Sequence, residues 1–400
     1  MSRRKEVVIV GGGASGMLAA ILTARQGMKV MLIEKNKTLG KKLSATGNGR
    51  CNFTNEQMNR DCYYSNDITF VDSVLQHFGW QDTVFLFREF GILERSREGY
   101  VYPKSNQAST VVDKLKSSCE KYGVEILLEE MVEQVAKTPK GFFVKTDKQS
   151  IYSDYLVLAC GGMACPELGG TKSGYQLARQ FNHNITPLYP ALTGFLSKGK
   201  WLSEFAGVRI LGKLSIYTQE KLLAEEEGEI QCTKTGISGI PAFQLCHLVS
   251  EALKKGAVYG KIDFLPEMKN EEIISFLTIQ SRKFSLEDVL KGMVNSKCIK
   301  EIIRRGSSLT EVAETLKAFS FPIQKTAGFE KAQVTAGGVS LQEISAGSME
   351  SEKTERLYVI GELLDADGVC GGYNLQWAWA TAYLCAEDIL RKEGKCHDRD

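Results

Sequence analysis

The residues best suited to chemistry stand near the N-terminus. An apolar run at 7–10 meets Gly11-x-Gly13-x-x-Gly16, and a second apolar run ends in Glu34. Gly11 permits a tight turn off a strand, Gly13 lets a diphosphate approach the backbone, and Gly16 lets a helix pack closely on the strands. Ala14, Ser15 and Gly16 open that helix, so their N–H groups and the positive end of the helix dipole point toward an anion. Glu34 lies where a carboxylate accepts from ribose hydroxyls and disfavours a 2′-phosphate. A glycine triplet alone is a weak signal, but strand, helix, strand and acid in register predict a dinucleotide cradle.

Two further stretches narrow the choice of dinucleotide to FAD. Lys35 and then Lys41, Lys42, Thr46, Gly47, Asn48, Gly49, Arg50 and Cys51 form a basic, glycine-rich loop unlike the second β-α unit of a plain dehydrogenase. Its small residues can run backbone alongside a flat ring and its ribityl chain, with Arg50 offsetting flavin charge and Cys51 read as a packing residue. Far downstream, Gly361-Glu362 follows an apolar run, Asp365 comes next, and a glycine pair opens a helix at Gly372-Tyr373-Asn374-Leu375. A helix N-terminus at the pyrimidine edge of a flavin stabilises negative charge there. Tyr373, Tyr102, Lys234 and Lys41 are weak candidates for a proton donor, each of a type that more often serves structure.

Competing chemistries find less support. No Ser/His/Asp arrangement is apparent in sequence. The four histidines lie too far apart to suggest a metal site, and none is expected. Cys160 and Cys165 have the spacing of a flavin disulfide reductase but follow the first β-α-β unit too late, so they are read as reduced thiols. No second glycine triplet appears, so NAD(P)H is expected only as a transient co-substrate.

The elements that must position these residues follow from periodicity. Runs at 7–10 and 29–33 read as buried parallel strands around a helix at 14–26 capped by Gly27. Residues 67–90 read as one helix, 111–122 as an amphipathic helix, 124–128 as a strand, and 142–146 with 151–159 as a β pair. From 191 to 265 short alternating runs (213–217, 257–264) and an acidic turn at 225–229 suggest an antiparallel β module. Residues 267–320 are charged and helical, with capping boxes. The glycine-rich, apolar style then returns, with a strand at 357–360 and a long helix at 374–391. The expected architecture is α/β: an FAD-binding domain at 1–190, interrupted by a β-rich substrate module at 191–266 and a small helical domain at 267–321, and resumed at 322–400.

Bulk properties set outer bounds. A chain of 400 residues suggests two or three domains. Fifty basic against 48 acidic residues leave a net charge of +2, which gives no pointer to nucleic acid or an anionic membrane. The apolar segments are too short for a signal peptide core or a membrane span, and eleven cysteines without an export signal fit a reducing cytoplasm. The expected partner is a small molecule, and oligomeric state is left open.

With both ends in view, the chain resembles the flavoproteins with two dinucleotide-binding domains and a glutathione reductase-like FAD fold. Within them it is similar to the bacterial BaiN/RdsA, or YhiN-like, NAD(P)/FAD-dependent oxidoreductases. The matching pieces run nearly end to end: 8–16, Glu34-Lys35-Asn36, 39–42, 46–52, Tyr102-Pro103, Gly161-Gly162, 169–171, 235–239, 335–339, and Gly361-Glu362 through Gln376. The resemblance implies bound FAD, a barrel-like insert and a small helical domain, and the expected cofactor contacts extend to Val132 and Gly161. It also implies an FAD-dependent oxidoreductase carrying out NAD(P)H-linked reduction of an unsaturated organic substrate, such as a bile-acid-like double bond. The alternatives are a small-amine oxidase producing hydrogen peroxide, or a flavin-binding RNA-modification or regulatory protein. Two departures stand out. Ile240 separates Gly239 from Pro241, and Gln231-Cys232-Thr233-Lys234 replaces a more apolar stretch that in the family contains histidine.

Overall fold

The computed structural model describes residues 3–219 and 221–395. They form two compact units: one holds the residues up to Tyr189 together with those from Val334 onward, and the other is Pro190–Gln333.

The first unit is built on β1 (Arg3–Val10), α1 (Ala14–Ala24), β2 (Val30–Glu34), β3 (Glu125–Leu128), β4 (Ser150–Leu158), β5 (Leu357–Val359) and α2 (Tyr373–Lys392). The five strands are parallel in the order β3-β2-β1-β4-β5. Every residue of β2 is buried, as are Val7 to Val10 of β1, which is why both read as unbroken apolar runs: a parallel sheet is covered on both faces. On the edge away from β1, β4 serves two neighbours. Its first half pairs antiparallel with Gly141–Thr146, and its second half pairs parallel with β5. In α1 all residues after Ala14 are buried, because the helix lies between the sheet and α2.

α2 is anchored by polar side chains as well as apolar ones. The buried Gln376 accepts from Thr54 and Thr83 hydroxyls at 2.7 Å each and donates to the Phe78 carbonyl at 3.0 Å. Trp379 donates to the Phe53 carbonyl at 2.9 Å. These bonds fix the 46–103 region against the last helix with no buried amide group of Gln376 left unmade.

The second unit is a closed barrel whose strands run in the order Phe195–Ser197, Gly236–Gly239, Lys221–Cys232, Arg209–Thr218, Val258–Asp263, Phe319–Thr326. Four helices, Asn270–Gln280, Leu286–Lys291, Ser296–Arg305 and Leu309–Lys317, share its core, where Trp201, Phe205, Phe264 and Phe319 meet Leu277, Ile302 and Leu316.

The structure corrects four sequence-based expectations. Residues 67–90 form two helices, Ile68–His77 and Trp80–Glu89. Gly79 caps the second, and the Phe78 carbonyl is taken by Gln376 instead of by the helix ladder. The acidic stretch 225–229 is no turn but the middle of the strand Lys221–Cys232. Cross-strand cations make this tolerable: Lys213 pairs with Glu225 and Arg209 with Glu229. Residues 322–326 do not return to the first unit, because Phe319–Thr326 is the strand that closes the barrel; the return comes at Val334. The β-rich stretch also contains three helices, Trp201–Phe205, Ile240–Gln244 and Cys246–Lys255.

Candidate functional site

The parallel sheet brings the separated motifs to one edge. β1 ends at Val10, just before Gly11, β2 at Glu34, β4 just before Gly161-Gly162, and β5 just before Gly361-Glu362. Backbone bonds tie these ends together: Gly11 N–H to Ile33 O (2.8 Å), Ala159 N–H to Val10 O (2.8 Å) and Ile360 N–H to Leu158 O (3.0 Å). The carboxyl edge of an open parallel sheet is where α/β folds bind ligands.

The glycines of the cradle do different work. A Cβ on Gly16 would lie 1.9 Å from the Gly11 carbonyl, so only glycine allows α1 to meet the turn. Gly11 sits at φ 111°, and a Cβ there would lie 2.4 Å from Ala159 O. Gly13, the N-cap of α1, has nothing within 4 Å of its absent Cβ, and neither has Gly161. The chain therefore leaves open space at the helix N-terminus beside Gly13 and over Gly161. On the far side, a Cβ on Gly361 would be 2.6 Å from Ser15 Oγ, which brings the C-terminal segment against the first turn of α1.

Glu34 is buried and well supplied with donors. Its Oε2 accepts from Gly12 N–H at 2.7 Å, and its Oε1 from the Asn36 backbone N–H at 2.8 Å and the Asn36 amide at 2.6 Å. Lys35 is half-buried, and burial pulls its ammonium below the ordinary range while Glu34 opposes that shift. Val132 is buried in the strand Val132–Thr138, opposite Thr146.

The basic loop is joined to the C-terminal motif by an ion pair. Lys42 Nζ lies 2.7 Å from Glu362 Oε2, while Glu362 Oε1 accepts from Thr335 N–H at 3.0 Å. Thr335 Oγ1 in turn accepts from Met163 N–H (2.8 Å) and Ala164 N–H (3.0 Å), fixing the turn after β4. Lys41 is half-buried beside Lys42. From Thr46 the loop turns through left-handed backbone at Gly47, Asn48, Gly49 and Cys51. Arg50 is exposed, with its guanidinium 5.5 Å from the centre of the Tyr102 ring and its Nε bonded to Gly47 O. Cys51 is buried, which pushes its thiol up to about 12.

At the opening of α2, Gly372 adopts φ 94°. The Asn374 amide closes on the backbone of Gly368 at 2.8 and 2.7 Å, and Leu375 is half-buried. Asp365 is buried; its Oδ2 accepts from the Asn66 amide at 2.7 Å, and burial raises its carboxyl above the usual range.

The four proton-donor candidates are placed very differently. Tyr373 is buried, its hydroxyl donates to Gln57 O at 3.0 Å, and burial holds its phenol well above the ordinary value. Tyr102 is half-buried beside the 46–52 loop. Lys41 belongs to the first unit, and Lys234 is an exposed side chain of the second. Cys160 and Cys165 are free thiols, and burial pushes Cys160 up to about 12. Among the described residues, no group of three or more His, Cys, Asp or Glu side chains could hold a metal, and no helix is long and apolar enough to cross a membrane.

Sequence reasoning missed Gly12, Asn36 and Thr335 as parts of the cradle. Thr335 and Asn36 both stood in quoted motifs. Their bonds to Glu362 and Glu34 became visible only when the strand ends were assembled.

A parallel sheet with a glycine turn into a helix, an acid at the end of the second strand and an open helix N-terminus defines a Rossmann-type dinucleotide-binding protein. The chain belongs to the HI0933-like protein Rossmann domain family, whose model matches residues 5–388. It is 38% identical over 395 residues to the 3-dehydro-bile acid delta(4,6)-reductase of Clostridium scindens, covering 94% of this chain and 97% of that one. It is 32% identical over 413 residues to the ribosomal RNA dihydrouridine synthase of Haemophilus influenzae, covering 98% and 100%. Among solved structures, the open conformation of a flavocytochrome c3 fumarate reductase shares the fold, with a TM-score of 0.54 and 14% identity over 98% of this chain and 78% of that one.

Proposed function

We propose that this chain is an FAD-dependent oxidoreductase that reduces a carbon–carbon double bond conjugated to a carbonyl, using NAD(P)H as electron source. The observation that carries the reading is the split cradle: four strand ends, drawn from both ends of the chain, converge around the open backbone of Gly13 and Gly161. The names of the two curated relatives describe reductions of one type, since a 3-oxo-4,6-diene and the uracil 5,6 bond are both alkenes conjugated to a carbonyl.

The residues present fit FAD. The N–H groups of Ala14, Ser15 and Gly16 hold the diphosphate at the helix N-terminus, where Gly13 leaves room for it. Glu34 accepts from the adenosine ribose, with its orientation fixed by Gly12 and Asn36. Glu362, held by Lys42 and Thr335, presents a positioned carboxylate to the ribityl hydroxyls. The loop that turns through left-handed backbone at Gly47, Asn48, Gly49 and Cys51, together with the opening of α2, would line the ring. When bound, the flavin carries hydride from the nicotinamide to the substrate.

Reduction of a conjugated alkene also needs a proton at the carbon next to the carbonyl. Tyr102, half-buried beside the loop, is the donor we assign, because the Tyr373 hydroxyl is committed to Gln57.

A second reading, reduction of uridine within RNA, is favoured by the 32% identical relative. The net charge of +2 favours a small substrate instead.

The test is anaerobic. The purified protein is saturated with FAD, reduced with NADH or NADPH, and offered a 3-oxo-4,6-diene steroid, a ribosomal RNA fragment or air. Reoxidation by the steroid supports the first reading, and reoxidation by RNA the second. Failure to bind FAD, or reoxidation by air alone, overturns both.

A further inference from the structure

The sequence shows no catalytic-triad pattern, yet the fold brings Ser351, His183 and Glu343 into one chain of hydrogen bonds. His183 is buried, with Nδ1 3.0 Å from Glu343 Oε2 and Nε2 2.8 Å from Ser351 Oγ. The connectivity is that of a hydrolase relay, but the serine is not free to attack. Ser351 is buried, and its Oγ accepts from the backbone N–H groups of Lys353 and Thr354, both at 3.1 Å. Those two donors fill the lone pairs of the hydroxyl oxygen, so its single proton must go to His183 Nε2. The carboxylate of Glu343 accepts, so Nδ1 carries the ring proton. The neutral imidazole is thus fixed in one tautomer, donating on one side and accepting on the other.

This arrangement cannot accommodate a second ring proton. An imidazolium presents an N–H at Nε2 to an oxygen that has no lone pair to offer. The charged groups facing the ring do not cancel that conflict. Glu343 favours the cation, but it also accepts from the Asn184 backbone and pairs with Lys353 Nζ at 2.7 Å. Lys353 opposes the cation, and burial opposes it more strongly, so the ring is held below its ordinary value of 6.5.

The relay joins the turn after the helix Ser173–Arg179 to the long excursion between Val334–Ala336 and β5. Further bonds from the same turn converge there: Lys353 Nζ to Asn182 O, and Ser340 N–H to Asn184 O. The base of the excursion supplies Ser340 and Gln342 to the wall of a pocket of about 180 Å³ that also includes Thr186 and Asp365.

We propose that Ser351, His183 and Glu343 form an acid-sensitive latch that holds the 340–356 excursion closed at neutral pH and releases it when His183 is protonated. Release frees the Ser351 side of the excursion first, because that is where the donor conflict arises.

Hydrogen–deuterium exchange on the full-length protein tests this. Exchange in peptides from 340–356 is compared at about pH 7.5 and about pH 5.5, with labelling times scaled for intrinsic chemistry. Between the ordinary value of 6.5 that the released ring regains and its lowered value in the closed latch, the opening equilibrium in the wild type rises by up to about tenfold per unit fall in pH, as one-proton linkage requires. His183→Gln keeps a neutral amide at the position and removes the pH dependence. Ser351→Ala removes the conflicting oxygen, so it weakens the acid response to the part that burial imposes while raising exchange at every pH. The proposal is overturned if the wild-type excursion is equally protected at both pH values, or if His183→Gln retains the full acid response.

Discussion

Replacing Gly13 by alanine separates the folding role of the cradle from its binding role. At φ −81° the Gly13 backbone suits any residue, and the added methyl meets nothing within 4 Å. Alanine is a poorer N-cap than glycine by a few tenths to about 1 kcal/mol, while the less flexible unfolded chain returns about 0.4–1 kcal/mol. The apo protein should therefore unfold within about 1 kcal/mol of wild type. The same methyl occupies the space through which a diphosphate reaches the helix N-terminus. Losing one or two charge-assisted bonds there costs about 2–4 kcal/mol, a roughly 30- to 700-fold weaker affinity for FAD. Gly16→Ala is the contrast. Its methyl would lie 1.9 Å from the Gly11 carbonyl, so α1 and the turn have to separate by more than about 1 Å. Overpacking on that scale costs about 3 kcal/mol or more before any ligand is added. Urea unfolding of the apo proteins and quenching of flavin fluorescence on titration measure the two quantities separately. An unchanged FAD affinity in Gly13→Ala refutes the reasoning, as does a stability loss equal to that of Gly16→Ala.

Other outcomes follow from the same geometry. Thr335→Val leaves the part-buried Met163 N–H and the buried Ala164 N–H without their acceptor and should cost about 2–4 kcal/mol in urea unfolding. Lys42→Met and Glu362→Gln, combined in a double-mutant cycle on apo protein, should show a coupling of about 1 kcal/mol, since the pair is only partly exposed but still reached by solvent. Asp365 has its folded carboxyl raised by burial, so its stabilising contribution is full at low pH and is lost as pH rises through the folded value. Asp365→Asn should accordingly make the apo protein more stable than wild type at neutral pH, with the gain vanishing toward about pH 4, as chemical unfolding at the two pH values will show.

The primary structure determined the first β-α-β unit almost residue by residue, because a buried parallel strand and a glycine turn each leave a local signature: unbroken apolar runs, and glycine where no Cβ fits. It also determined that the two ends of the chain share a task, since the motifs at 11–16 and 361–375 make chemical sense only together. Local pattern failed where a neighbour outweighed it. The acidic stretch 225–229 looked like a turn until Arg209 and Lys213 on the adjacent strand neutralised it. Gln376 likewise drew the Phe78 carbonyl out of a helix that local composition would have continued. Tertiary structure alone decided which carboxylate meets which lysine, that Tyr373 donates to Gln57, and that Ser351, His183 and Glu343 touch. Such contacts join residues up to 320 positions apart, and a hydrogen bond specifies its partner by distance and direction in space, neither of which is written in the spacing along a chain.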